Sequence, residues 1–192
     1  ATLTTIHPSA FSGCLFEELD IPDSVTKLAA DAFYNCTKLS TVGYPAGWTE
    51  CYCQIGDEYY DGYSGNRTPF YGCTSLKEIT VDEGVTSIPK YAFRNMTSLE
   101  TINLPESLIT ISAYAFDGCT ALKAIELPEA LSSIENYAFR GCSGIKEITV
   151  PEKVTVINWG VFSNCTGLAE VNLPATLTTI HPSAFSGCLF EE

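Results

Sequence analysis

One motif, written eight times, constrains this chain more than any other feature. A phenylalanine followed three residues later by cysteine stands at Phe11/Cys14, Phe33/Cys36, Phe70/Cys73, Phe116/Cys119, Phe139/Cys142, Phe162/Cys165 and Phe185/Cys188; Phe93 with Met96 completes the series. From Phe70 onward the spacing is 23 residues, against 22 between Phe11 and Phe33 and 37 between Phe33 and Phe70. A fixed period of this size marks a repeat architecture, in which each copy is one supersecondary unit and stacking buries a continuous core. A single copy has too few inward side chains to offset the entropy of ordering its own backbone, so its stability must come from its neighbours.

Each copy then repeats a short grammar. After the cysteine comes Leu-x-x-Ile-x-Leu-Pro or a variant: Leu99, Ile102, Leu104, Pro105; Leu122, Ile125, Leu127, Pro128; Ile145, Ile148, Val150, Pro151; Leu168, Val171, Leu173, Pro174. The alternation predicts a short strand with two side chains on one face, ended by a proline that has no N–H for a ladder. A second apolar pair follows, as in Leu108/Ile111, Leu131/Ile134 and Val154/Ile157, and then a segment ending in Ala-Phe that is expected to be a turn of helix. The residue before each cysteine slot is only ever Gly or Asn: Gly13, Asn35, Gly72, Asn95, Gly118, Gly141, Asn164, Gly187. Those two residues take a left-handed backbone most readily, so this slot is expected to close the turn in every copy.

The pattern Ile-x-x-x-Ala-Phe-x-x-Cys-x-x-Leu-x-x-Ile-x-Leu-Pro resembles the BspA-like (Treponema-type) leucine-rich repeats over nearly the whole chain. The resemblance implies an α/β repeat fold: a right-handed leucine-rich-repeat solenoid with a parallel concave sheet, about eight 23-residue repeats forming one domain over residues 1–192. It also implies an extracellular or cell-surface protein with a non-catalytic role in adhesion or protein recognition, its partner a host extracellular-matrix or cell-surface protein. The alternative from another class is a rigid structural spacer, a self-associating rod with no ligand of its own. Two departures stand out: the first repeat is one residue short, and an aromatic and acidic insertion occupies residues 47–68.

A second regularity is larger. Ala1–Glu18 reads identically to Ala175–Glu192, at an offset of 174 residues. The identity suggests a segment of a tandem array with a long unit, or a copied terminus, and open apolar faces at both copies predict end-to-end self-association.

Charge excludes some partners. The 192 residues carry 10 Lys+Arg against 23 Asp+Glu, a net charge of −13, which would repel the phosphates of duplex nucleic acid and anionic membranes. No apolar run approaches the roughly 18 residues of a membrane span.

Candidate chemistry is sparse. Seven of the nine cysteines share one slot of the repeat; stacked about 5 Å apart with parallel Cβ directions, they are expected to be buried thiols acting as small hydrophobes, a role that Met96 fills as well. Cys51 and Cys53 fall outside that slot, and a structural role is expected for them over a metal site because no His or second Cys pair completes a zinc pattern. The two histidines, His7 and His181, are one residue of the duplicated segment, and no nucleophile, base and orienting acid assemble around them. Glu106, Glu129 and Glu152 recur beside the strand-ending proline, as solvated residues do. No catalytic residue, metal or cofactor is therefore expected. Of four Asn-x-Thr triplets, three belong to the turn slot, and Asn66 alone resembles a free-standing glycan acceptor.

Two surfaces remain for a partner. The insertion carries Trp48, Tyr52, Tyr59, Tyr60 and Tyr63, large stiff side chains that contact a protein at low entropic cost, or else a loop folded back onto the flank. Outward strand positions Thr80, Asn103, Glu126, Thr149 and Asn172 form the second, a small polar row suited to a broad protein partner.

Overall fold

In the computed structural model the described residues are 2–55, 58–60 and 68–190; for 53–55 and 58–60 the backbone alone is described. Each coil contributes two short strands and one turn flank, and the strands of successive coils pair in parallel. One row is built from the Ile-x-Leu segments: Glu18–Asp20 pairs with Thr41–Gly43, Glu78–Thr80 with Thr101–Asn103, and Glu147–Thr149 with Glu170–Asn172. The second row comes from the following apolar pair. Thr5–Ile6, Lys27–Ala29 and Glu50–Tyr52 are joined there, as are Ser87–Ile88, Thr110–Ile111 and Ser133–Ile134, and Val156–Ile157 with Thr179–Ile180.

The core follows the period of the sequence. Phe33, Phe93, Phe116, Phe139 and Phe162 are fully buried. Their rings stack face to face along the coils: 5.3 Å between the centroids of Phe93 and Phe116, 5.2 Å for Phe116 and Phe139, 5.6 Å for Phe139 and Phe162. Between Phe70 and Phe93 the column changes character, because Trp48 stands edge-on to both. Around this column pack the repeated aliphatics, such as Leu122, Ile134, Ile145 and Val154, none with measurable exposure.

The turn flank departs from the expectation. No helix occurs among the described residues, and the segment ending in Ala-Phe is a run of tight turns. In the fifth copy Ala115 N–H donates to Ser112 and Cys119 N–H to Phe116, while Tyr114 and Gly118 hold φ of 58° and 77°. Two left-handed residues within five positions stop a right-handed helix from propagating, so the α/β description fails on its helical half. What survives is a β-solenoid of short parallel strands. The Gly/Asn slot behaves as its composition requires: all eight residues have positive φ, from 56° at Asn35 to 81° at Gly72.

Backbone bonds also tie the turn flank from coil to coil. Phe116 N–H donates to Ala138 O at 2.8 Å and Gly118 N–H to Arg140 O at 2.7 Å, with equivalents in most copies.

The thiols do more than fill space. Cys36, Cys73, Cys119, Cys142, Cys165 and Cys188 each donate Sγ–H to the phenylalanine carbonyl of the preceding copy, at 3.0–3.2 Å. Burial pushes their ionisation upward, to about 12 for Cys73 and Cys165. Met96, with no donor, leaves the Phe70 carbonyl without this bond.

The insertion enters later than its composition suggests. Glu50–Tyr52 pairs in register with Lys27–Ala29, so Leu28 faces Cys51 and Ala29 faces Tyr52. Cys51, expected off the ladder, is therefore one of its rungs and is buried. The strand runs on to Ile55 and pairs antiparallel with Glu58–Tyr60.

Candidate functional site

The exposed sheet row is assembled by alternation. Ile79, Ile102, Ile125 and Ile148 point inward and are buried, which turns Thr80, Asn103, Glu126, Thr149 and Asn172 out to solvent, where all five are exposed. Register then puts like positions side by side: Thr80 faces Asn103, and Thr149 faces Asn172. The Asn103 amide donates to Glu78 Oε1 at 2.9 Å and to Thr80 Oγ1 at 3.0 Å. Asn172 reaches Thr149 Oγ1 and Glu170 Oε1 more loosely, both at 3.4 Å. Beside this row Glu100 sits between two lysines, 2.9 Å from Lys77 Nζ and in an ion pair with Lys123. The hydrogen bonds and charges of Lys123 and Lys77 hold its carboxyl down to about 2.

The row is not continuous, and its gaps are where the surface opens. Ala124–Glu126 lies in the row, yet it makes only a single bridge, Thr101 to Ala124, and no ladder with Glu147–Thr149. Ala124 stands where the neighbouring copies carry Thr101 and Glu147, so it offers no side chain for a cross-strand pair. Glu126 makes no side-chain hydrogen bond or ion pair among the described residues. On one side of this segment lies an open depression of about 440 Å³, lined by Thr101, Asn103, Glu106, Glu126 and Glu129 among others. On the other side is one of about 250 Å³, lined by Glu126, Glu129, Glu147, Thr149 and Pro151 among others. A third, also about 250 Å³, lies between Ser40–Val42 and Glu78/Thr80, where the strands Thr41–Gly43 and Glu78–Thr80 are not bonded to each other.

The aromatic candidates divide. Trp48 is 2% exposed, packs on Tyr44, Phe70 and Phe93, and donates Nε1–H to Glu50 O at 2.9 Å. Tyr52 is likewise buried, its hydroxyl 3.1 Å from His7 Nδ1, and burial raises its ionisation. Both rings belong to the coil they sit in. The side chains of Cys53, Tyr59 and Tyr60, and all of Tyr63 and Asn66, lie outside the described residues.

A second polar assembly went unread in the sequence. Tyr91, Tyr114 and Tyr137 stack at 5.3 and 5.1 Å, each at positive φ. Next to them the buried Asp117 binds Arg94 Nε at 2.9 Å and Arg140 through Nε and Nη2, both at 2.8 Å. The arginine planes lie 5.4–5.8 Å from the tyrosine centroids. The signal was there: tyrosine two residues before Phe in three consecutive copies, and Arg, Asp, Arg in the place after it. Satisfied charges of this kind brace the flank.

Parallel two- and three-residue strands repeating with the coil, a buried ring column and a polar outward row define a leucine-rich-repeat solenoid. The BspA-type leucine-rich repeat region matches residues 1–55 and 66–191 in six copies, and the chain belongs to that family. Among solved structures it is similar to a leucine-rich repeat protein of Bacteroides ovatus, at 22% identity and a TM-score of 0.64, covering 97% of this chain and 50% of that one. The pneumococcal vaccine antigen PcpA is 20% identical with a TM-score of 0.54, over 94% of this chain and 47% of that one. A leucine-rich cell surface protein of Faecalibacterium prausnitzii is 22% identical at a TM-score of 0.52, over 86% of this chain and 62% of that one. At these identities the likeness is one of fold, and the chain spans about half the length of the Bacteroides protein. No curated protein matches the chain significantly. Among the described residues no helix is long and apolar enough to cross a membrane.

Proposed function

We propose that this chain is a non-catalytic recognition module of a secreted or surface-exposed bacterial protein, and that it grips a protein partner with the outward row Thr80, Asn103, Glu126, Thr149 and Asn172. The carrying observation is the coincidence of that row with three open depressions at the interruptions of its ladder. Side chains of a partner fit such shallow recesses, while the broad, wet, small-polar surface between them suits a protein more than a small substrate. A surface location is supported by the solved relatives described as a cell surface protein and a vaccine antigen. A non-catalytic role is supported by the chemistry at hand: the slot thiols are protonated and engaged with carbonyls, and the histidines stand in separate copies.

Tyr59, Tyr60 and Tyr63 remain candidate contacts on the chemistry of tyrosine alone. A host matrix or cell-surface protein is the class of partner to try first. The test is binding of the chain to a panel of immobilised extracellular-matrix proteins, with Asn103→Arg/Glu126→Arg/Thr149→Arg and a Tyr59→Ser/Tyr60→Ser/Tyr63→Ser variant alongside. The row variant is expected to lose binding at least about tenfold at unchanged Tm. Undiminished binding by that variant would move the site off the sheet, and no binding to any protein by the parent chain would favour the spacer.

A further inference from the structure

Ala1–Glu18 and Ala175–Glu192 are one sequence, yet the structure seats them by opposite faces. In the first copy Thr5–Ile6 pairs with Lys27–Leu28, the coil that follows. In the second, Thr179–Ile180 pairs with Val156–Ile157, the coil that precedes. The remaining bonds divide in the same way. Phe11 and Gly13 donate their N–H to Ala32 and Tyr34, and Cys36 donates to Phe11 O. Their counterparts Phe185 and Gly187 donate N–H to no described acceptor. Conversely Thr178 and His181 donate to Thr155 and Ile157, whereas Thr4 and His7 donate N–H to no described acceptor. Burial agrees: Ile6 is 6% exposed and its twin Ile180 is 49% exposed.

Each copy therefore leaves open the face that the other has covered, and the molecule itself displays what covers it. We propose that two copies of this chain join head to tail by exchange. Residues 175–190 of one chain take the seat that residues 2–18 of the other hold against its Thr26–Cys36 segment, giving one continuous solenoid. Because the exchanging segments are identical, the contacts made at the junction replace those given up, residue for residue. The displaced segment regains chain freedom, which offsets the loss of rotation and translation on association. The junction is heterologous and does not close, so further chains can add to it. This inference is independent of what the sheet row binds.

The test is light scattering of the full chain over a concentration series, after warming below Tm and recooling to permit exchange. Apparent mass is expected to rise about twofold or more with concentration. Ile180→Glu, at a half-exposed site in its own coil, is expected to lower association at least about tenfold at unchanged monomer Tm, because it carries a charge into the seat of Ile6. Ile6→Glu loosens the resident copy and is expected to raise the associated fraction at equal concentration. Alkylation with mass spectrometry separates exchange from simple end stacking: exchange exposes Cys14 while protecting Cys188, whereas stacking protects both. A chain that stays monomeric throughout, an Ile180→Glu variant that assembles like the parent, or protection of Cys14 in the assembled fraction would each overturn the proposal.

Discussion

The side-chain amide of Asn95 occupies the space that a Cβ on Gly118 would need, its Cγ 3.3 Å from that point and its Oδ1 nearer still. The same relation joins Asn35 to Gly72 and Asn164 to Gly187. The slot thus carries two demands. Left-handed φ admits Gly or Asn, and an Asn requires Gly in the copy after it, so no two Asn are consecutive along the column.

Coupling across that slot is open to a double-mutant cycle. Gly118→Asn alone is expected to cost about 2 kcal/mol, since the new side chain meets Asn95, while Asn95→Gly alone costs well under about 1 kcal/mol. Combined, the swap restores a permitted order and should recover most of the loss, a coupling of at least about 1.5 kcal/mol by urea unfolding. Additive costs would show that the two positions do not share space.

Alkaline pH should unfold the chain through its thiols. Cys73 and Cys165 are raised from 9.0 to about 12, and Cys119 and Cys142 are raised as well, all by burial. A raised folded value means stabilisation fully present below pH 9 and lost as pH climbs through the folded values. Urea midpoints should accordingly be level up to pH 9 and fall between pH 9 and about 12. Iodoacetamide at pH 8 should leave Cys119 and Cys142 unlabelled until urea is added, and labelling at native conditions would contradict the thiol-to-carbonyl bonds.

Acid should act at one named carboxylate. Glu100 is lowered from 4.5 to about 2 by Lys123 and Lys77. A lowered folded value means stabilisation present above 4.5 and lost as pH falls toward 2. Carboxyl NMR of a Lys123→Ala variant should show Glu100 titrating closer to 4.5, and an unmoved value would mean that the lysine does not hold it.

Removing the charge at Asp117 should be costly although nothing binds there. Asp117→Asn leaves Arg94 and Arg140 without a counter-charge on a mostly buried flank, and a loss of about 2–3 kcal/mol is expected. Added salt should not reproduce that loss in the parent chain, because the carboxylate is 6% exposed. Calorimetry of both proteins at low and high salt distinguishes this from a surface ion pair.

Much of this was legible because a 23-residue coil makes sequence neighbours at that offset into spatial neighbours. Phe116 and Phe139 stack as their spacing demands, and Gly118 takes the φ that its slot demands. Trp48 and Cys51 were legible too, since they stand 23 residues after Val25 and Leu28, but the nearby tyrosines drew them into the insertion. The helical turn was misjudged because Tyr114 does not look like a left-handed residue; its ring stack and the turn bonds around it impose the angle. The gap at Ala124–Glu126 has no sequence signature beyond an alanine, since pairing depends on both neighbouring strands at once. Why Asn103 turns its amide back toward Glu78 rather than forward is visible only in the coordinates.

Trp48 carries one last consequence. From the strand at Thr41–Gly43 round to Phe70, the described residues share no backbone hydrogen bond with the coil running from Glu78–Thr80 to Phe93, and the edges of Trp48 and the ring of Tyr44 fill that seam instead. Apolar contact resists separation but tolerates sliding, whereas directional bonds resist both. Under tension along its axis the molecule should yield there first, parting into two blocks of coils before either block unravels, with the indole as the fuse.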